Sequence, residues 1–459
     1  MTSTVRTDDT TGDPTGDLRR DLGDGLVLRW STPADTDAIA DLAGAVFRDN
    51  DDGPPNAFLM NMVRRHMRGD HPLLGPHDYI VVEDTRADRK RFVACACYQH
   101  EEWTYDGVSL PVGRPEIVAA DPDYRRRGLV RTLFGAIHDR CEHDGKLVQS
   151  ITGIPNFYRQ FGYEYAVDLG GSVTVPVSLL PKAKDGEAEP YRLRKATRED
   201  VPALIACYEQ SQRGSLVVSR LDERFWTYNI DAENEPDAML GFVRVRIVES
   251  GTGEFCGLVV AQGSGTHFRV ALMEFTPGTN LARIRPSLVR ALVNLSADKL
   301  TPDDEPITRL VFELGRDHPF YQVIPHEYEP RQQPPYAWYV RVPDLPAVLR
   351  RIAPVLERRL AESSVAGYDG DLLLDFYRTA VRLTFTDGRL GDVRDQGPAG
   401  RHDRTPRAGF PPLVFLRSLF GHASLDELRT AYPDVGTGGE AGPLVNALFP
   451  KRPSRLFAP

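Results

Sequence analysis

Apolar positions along the chain switch between two periods, and the switches mark alternating strands and helices. Residues 25–30, Gly-Leu-Val-Leu-Arg-Trp, make a short apolar run that predicts a strand. Ser31, Thr32 and Pro33 follow, a hydroxyl cap and a first-turn proline, and they open a helix that buries Ile39, Leu42 and Val46. A second helix is predicted over 57–68, and strands over 79–82 and 91–98 joined by a charged turn at 84–90. The apolar run within 110–120 holds Glu116-Ile117-Val118-Ala119-Ala120. Past a loop, Leu129, Val130, Leu133, Phe134, Ile137 and Cys141 recur at helical spacing until Gly145. A strand over 146–152, a short helix from Pro155 to Gly162 and strand residues over 163–175 complete an α/β layout.

After a linker at 176–190, which holds Lys182, Lys184, Asp185, Gly186 and Glu187, the opening pattern returns. The run Tyr191-Arg192-Leu193-Arg194-Lys195-Ala196-Thr197 echoes Leu26-Val27-Leu28-Arg29-Trp30-Ser31-Thr32: a short strand, a threonine cap, then a helix. An internal duplication is the reading, with strands near 241–249, 256–262 and 267–275 and a helix near 284–296. The last third begins near Val342-Pro343. It predicts one helix over 345–360, strands over 371–377 and 379–385, a loop of low hydrophobicity over 391–409, and helices over 412–420 and 425–432. The apolar and basic end, 444–459, is expected to dock on the body. The fold class is therefore α/β (α+β): tandem mixed sheets flanked by helices, then a smaller α/β region. The boundaries are a tail at 1–20 expected to be disordered and regions at 21–180, 190–342 and 343–459.

Composition narrows the function classes. The 459 residues carry a net charge of −9, which argues against general nucleic-acid binding. No apolar run approaches the roughly 20 residues that span a bilayer, so no membrane association is expected. Residues 1–17 are polar and lack the apolar core of an export signal, and a cytoplasmic location is expected. The five cysteines, Cys95, Cys97, Cys141, Cys207 and Cys256, form no CxxC pair, and Cys95-Ala-Cys97 reads as strand packing. No metal is expected. His100, His138 and His143 have no nucleophile motif beside them, and the acidic run at 49–52 reads as a solvated turn.

The chemistry concentrates between Ile117 and Tyr163. A strand ends, a loop turns, and Arg125-Arg126-Arg127-Gly128 opens an amphipathic helix. The first turn of a helix has unpaired N–H groups and partial positive charge, which suits a pyrophosphate, and Gly128 lets the backbone come close. No GxGxxG and no GxxxxGK[ST] is present. The run Arg125-Arg126-Arg127-Gly128-Leu129-Val130 resembles the phosphate loop of the GNAT acyltransferases, Q/R-x-x-G-x-G/A, with Val130 in place of the last small residue. Phe157-Tyr158-Arg159-Gln160-Phe161-Gly162-Tyr163 resembles the superfamily's second motif. RRRGL followed by that aromatic run looks like the Eis-like (enhanced intracellular survival) acetyltransferases. Those carry two GNAT-like regions in tandem and a C-terminal sterol carrier protein-like domain.

The resemblance implies acetyl-CoA as donor and a primary amine as acceptor, on a small polyamine, an aminoglycoside-like compound or a lysine side chain. It implies a pantetheine arm along Val118, Ala119 and Ala120, and a pyrophosphate on the amides of Arg126, Arg127, Gly128, Leu129, Val130 and Arg131. Gly153 and Ile154 would flank the arm. Tyr158 would give the departing thiolate its proton, since a phenol of pKa near 10 suits a thiol leaving group. Two bases stay open. Glu116 lies two residues before Val118, so strand alternation puts both on one face. In the family the chain's terminal carboxylate serves, here that of Pro459, although the ending departs from the family's terminal aromatic. The middle region has no second RRxG and is expected to lack coenzyme binding. By analogy the chain is expected to form a homo-oligomer, such as a hexamer. The rival readings are an acyl-CoA sensor or an apolar-ligand binder with a vestigial GNAT domain.

Overall fold

The computed structural model describes residues 18–48, 50, 52–86, 90–182, 188–234, 243–264, 266–297, 305–398, 400 and 404–457. The chain divides into two compact units, Met1–His100 with Gly113–Gln149, and Glu101–Val112 with Ser150–Pro459. This division runs through the stretch read from sequence as one region, 21–180.

The first unit holds strands β1 (Arg19–Gly23) and β2 (Leu26–Trp30), helices α1 (Thr36–Val46) and α2 (Ala57–His66), then β3 (Tyr79–Asp84). The strand β4 (Phe92–Tyr105) starts in it, β5 (Val108–Ala120) ends in it, and α3 (Leu129–His143) follows. The sheet order is β1-β2-β3-β4-β5. Period-two alternation sorts the strand side chains between two layers. Tyr79, Val81, Cys95 and Cys97 pack under α1 and α2 with Ile39, Ala43 and Val63. Ile80, Val82, Ala94 and Ala96 pack under α3 with Leu129, Leu133, Ile137 and Cys141. Burial pushes the Cys95 thiol up to about 12, so it acts as a small core hydrophobe. Arg140 of α3 ties the second layer down: it bonds Asp78 at 2.6 Å and stacks 4.4 Å over the Trp30 ring.

In the second unit, β6 (Val148–Ile151) leads in from the first and is followed by β7 (Glu164–Leu169) and β8 (Ser172–Pro176). Then come β9 (Tyr191–Lys195), α4 (Val201–Ser211), β10 (Val217–Ser219), α5 (Glu223–Ala232), β11 (Arg244–Ser250), β12 (Phe255–Ser264) and β13 (His267–Phe275). The helix α6 (Leu281–Ala297) and strands β14 (Arg309–Phe312), β15 (Arg331–Gln333) and β16 (Tyr336–Arg341) complete the pattern. One sheet runs β15-β8-β14-β13-β12-β11-β9. The opening device of the first unit recurs here in atomic detail. Arg29 bridges Asp35 and Glu83, and Asp35 closes a capping box with Thr32. Arg194 bridges Asp200 and Glu249, and Asp200 closes a capping box with Thr197.

Two strand pairs cross over within the second unit. β7 pairs antiparallel with β16, while the adjoining β8 and β15 pair with each other in the seven-stranded sheet. Only Pro334 and Pro335 separate β15 from β16, so the chain changes sheet within two residues.

The end of the chain supplies α7 (Leu345–Arg351), α8 (Ala353–Ala361), β17 (Gly370–Asp375), β18 (Ala380–Thr386), β19 (Arg389–Gln396) and β20 (Arg407–Gly409). Beyond these lie α9 (Phe415–Leu419), α10 (Leu425–Ala431), β21 (Gly436–Gly438) and α11 (Ala441–Leu448). The sheet order is β19-β18-β17-β20-β21. Two expectations are corrected. The single helix over 345–360 is two helices, because a proline stands in the first turn of the second and the chain breaks at Ile352. The low-hydrophobicity stretch 391–409 is not all loop: it contains most of β19 and all of β20. β19 is an edge strand with a mostly exposed, charged sequence, which is how sheet edges avoid further pairing. The tail past α11 docks along β10. Leu216 donates to the Pro453 carbonyl at 2.7 Å and Arg455 to the Val217 carbonyl at 2.8 Å. Phe457 is buried against Phe225. Among the described residues, no helix is long and apolar enough to cross a membrane, and no cluster of three His, Cys, Asp or Glu could hold a metal.

Candidate active site

In the first unit β5 carries a kink where the pleat would otherwise run on. Ile117 sits at φ 50°, in the left-handed region that a β-branched residue rarely occupies. Ile117 and Ala119 pack in the α1/α2 layer, while Val118 and Ala120 lean on the α3 layer. Glu116 takes two bonds from the buried Arg114, at 2.8 and 3.1 Å.

Past β5 the chain makes a short turn at Pro122–Tyr124. Tyr124 anchors it, donating to Asp84 at 2.6 Å. That bond, with burial, pushes the phenol's pKa up and keeps its proton in place. Arg127 stacks on the Tyr124 ring at 4.8 Å. Arg125 and Arg126 are exposed and have no ion-pair partner among the described residues. Arg126 is at φ 63° and Gly128 at φ 79°, so two left-handed residues shape the loop that enters α3. Gly128 is the N-cap and has no side-chain oxygen to offer the first turn of α3, whereas Asn56 caps α2 with its side chain. A Cβ added at Gly128 would meet nothing within 4 Å. Leu129 is buried as the anchor of α3, and Val130 is half-buried. An uncapped helix start beside two exposed guanidinium groups fits the phosphates of a coenzyme.

The other site residues, Gly153, Ile154 and Tyr158, lie in the second unit. Gly153 holds φ 120°, a conformation reserved for glycine, and a Cβ there would lie 3.6 Å from the Tyr158 ring and hydroxyl. Tyr158 opens a short 3₁₀ turn, Tyr158–Phe161, and is 5% exposed. Phe157 and Phe161 flank it in the same aromatic run. The structure buries Tyr158 and leaves both phenylalanines half-buried, because Tyr158 packs edge-on to Tyr339 of β16 at 5.4 Å. Ile154 is 59% exposed. Pro459 lies outside the described residues.

Three tyrosines that the sequence reading did not single out hold this loop. Tyr339 donates to the Ile154 carbonyl at 3.0 Å, and the Asn156 amide donates to the Tyr165 hydroxyl at 2.7 Å. The Tyr165 hydroxyl also meets those of Tyr336 and Tyr339. Burial would push the Tyr165 phenol up, but its hydrogen bonds to Tyr336, Tyr339 and Asn156 prevail and lower it. The apolar run Tyr336-Ala337-Trp338-Tyr339-Val340 signals a strand in the sequence, yet nothing local names β7 as its partner.

The repeat in the second unit lacks the open helix start. Asn280 accepts from the Arg283 amide at 3.1 Å ahead of α6, and the preceding residues, Thr276-Pro277-Gly278-Thr279, contain no arginine.

Comparison with known proteins agrees with the layout of the first repeat. Residues 28–166 match the acetyltransferase (GNAT) domain family. No curated protein matches the sequence. Among solved structures, a GCN5-related N-acetyltransferase from Kribbella flavida is 18% identical with a TM-score of 0.60, over 94% of this chain and 98% of that one. Eis1 from Mycobacterium abscessus is 15% identical with a TM-score of 0.55, over 93% and 98%. Saccharomyces cerevisiae N-myristoyltransferase, solved with bound myristoyl-CoA, is 11% identical with a TM-score of 0.50, over 72% and 87%. These likenesses establish the fold, and the family match covers residues 28–166 alone.

Proposed function

We propose that the chain, through the GNAT acetyltransferase domain at 28–166, moves an acetyl group from acetyl-CoA directly to a primary amine. The observation that carries this reading is the start of α3. Its cap is a glycine with no side chain to occupy the first-turn N–H groups, and the exposed Arg125 and Arg126 precede it. Arg126, Arg127, Gly128, Leu129, Val130 and Arg131 would hold the diphosphate, and Val118, Ala119 and Ala120 the arm. Gly153 and Ile154 would flank that arm.

In such a transfer the neutral amine nitrogen bonds the thioester carbon, the C–S bond breaks, and the thiolate takes a proton. Tyr158 is the proposed donor of that proton, and backbone N–H groups would steady the oxyanion. The amine's own proton needs a base. The Pro459 carboxylate is proposed first. Glu116 is second, since Arg114 already occupies its carboxylate. The acceptor is a polyamine, an aminoglycoside-like amine or a lysine side chain. A sterol carrier protein-like region at 343–459 and a cytoplasmic homo-oligomer are proposed with it.

The test is release of free thiol from acetyl-CoA across a panel of spermidine, kanamycin and a lysine peptide. Amine-dependent release is expected with at least one of the three. Coenzyme binding without release across the panel would favour a sensor instead.

A further inference from the structure

Tyr339 of β16 stands directly opposite Tyr165 of β7, past an irregularity in the register between Trp338 and Tyr339. Their ring centres lie 4.2 Å apart and their hydroxyl oxygens 2.5 Å. The Tyr165 oxygen also lies 2.7 Å from that of Tyr336, and it accepts from the Asn156 amide at 2.7 Å. The Tyr339 hydroxyl reaches the Ile154 carbonyl at 3.0 Å. The three tyrosines and the loop that they hold all belong to the second unit.

Counting protons gives this cluster a direction. A phenol has one proton to donate, and a carbonyl oxygen has none. Tyr339 therefore directs its proton to Ile154. In its bond with Tyr165 the donor is then Tyr165, and in the bond between Tyr165 and Tyr336 the donor is Tyr336. The order is Tyr336 to Tyr165 to Tyr339 to the Ile154 carbonyl. The Tyr165 oxygen gives one bond and accepts two, the full set for a hydroxyl. Burial, with the Tyr165 hydroxyl, pushes the Tyr339 phenol up, so the proton of the last link stays in place.

That last link decides what the loop presents. Gly153 at φ 120° and Asn156 at φ 62° bracket it, and a glycine leaves the backbone more freedom than any other residue. Tyr339 holds the Ile154 carbonyl between them, and Tyr165 holds the Asn156 amide. The Ile154 side chain stays exposed. An apolar side chain on a fixed backbone is ready to meet a ligand, whereas a loop ordered only on binding weakens affinity by the cost of ordering it. The Tyr339 ring has a separate contact, edge-on to Tyr158 at 5.4 Å.

We infer that Tyr339 is a positioning residue for the coenzyme: its hydroxyl, oriented by Tyr165, holds the Ile154 carbonyl and so fixes the loop that flanks the pantetheine arm. The inference rests on the acetyl-transfer reading, in which that arm lies beside Gly153 and Ile154.

The experiment compares the full parent chain with Tyr339→Phe, Tyr165→Phe and the double variant. Each is titrated with coenzyme A by calorimetry and assayed with acetyl-CoA and the best amine of the panel. Phenylalanine keeps both rings, so the packing against Tyr158 persists. Each single variant is expected to raise the Kd for coenzyme A and the KM for acetyl-CoA about tenfold, with kcat within about twofold of the parent. The double variant is expected to match Tyr165→Phe, since both changes break one chain of bonds. A merely structural role would lower the melting temperature without that split and without that coupling. The inference is overturned if either single variant binds coenzyme A as tightly as the parent, if kcat falls as far as KM rises, or if the two effects multiply. A parent that binds coenzyme A but acetylates no amine of the panel would contradict the transfer reading and leave the Kd comparison to decide the inference. A parent that binds no coenzyme A would overturn both.

Discussion

At the scale of single residues, three groups separate binding from chemistry. Arg126 is exposed and without an ion-pair partner among the described residues, so its removal disturbs no packing. Arg126→Ala should weaken acetyl-CoA affinity about tenfold and flatten its salt dependence, with melting temperature unchanged. Tyr158→Phe removes only a hydroxyl from a buried ring. Turnover should fall at least about tenfold while coenzyme affinity stays level, and unaltered turnover would take Tyr158 out of the acid role. The triple arginine, Gly128 and the aromatic run around Tyr158 are legible in the sequence because each is a local motif. The left-handed residue within β5 is not, because Ile117 at φ 50° takes a conformation against the preference of a β-branched residue.

At the scale of elements, the Arg–Asp–Thr device at the head of each repeat is a stabilising unit that can be titrated. Arg194 holds the Asp200 carboxyl down to about 2, below its ordinary 3.8. A carboxyl depressed in the folded state contributes stability above its unfolded pKa and loses it as pH falls through the folded value. Asp200→Asn should therefore be less stable than the parent in urea unfolding at pH 6, and the gap should close between about pH 4 and pH 2. A gap that stayed constant over that window would remove the ion pair as its cause. The strands of the first repeat follow from the sequence as apolar runs because both their faces are buried, and the helices because they are amphipathic. Other elements escape such reading for physical reasons. β19 is a charged edge that buries little, and β16 finds its partner β7 about 170 residues back along the chain, where no local signal reaches.

At the scale of the molecule, the C-terminal tail is a structural member of the second unit. It adds beside β10, carries Arg455 to Glu274 and seats Phe457 against Phe225. Phe457→Ala should cost about 3 kcal/mol by the usual penalty for emptying an aromatic site. Chemical denaturation reads this, and a loss within experimental scatter would show the tail to be a passive appendage. The docking of an apolar end was legible in the sequence; its register on β10 was not, because strand addition is specified by backbone groups common to every sequence.

The central claim concerns the start of α3, and one change isolates it. Asn tolerates the left-handed conformation that Gly128 holds and brings the cap oxygen that Gly128 lacks. Titration calorimetry with acetyl-CoA on the parent and on Gly128→Asn is the direct measurement. The parent should bind one equivalent per chain, and the variant, folded and equally stable, should bind at least about tenfold more weakly. No binding by the parent, or equal affinity in both, would contradict the account.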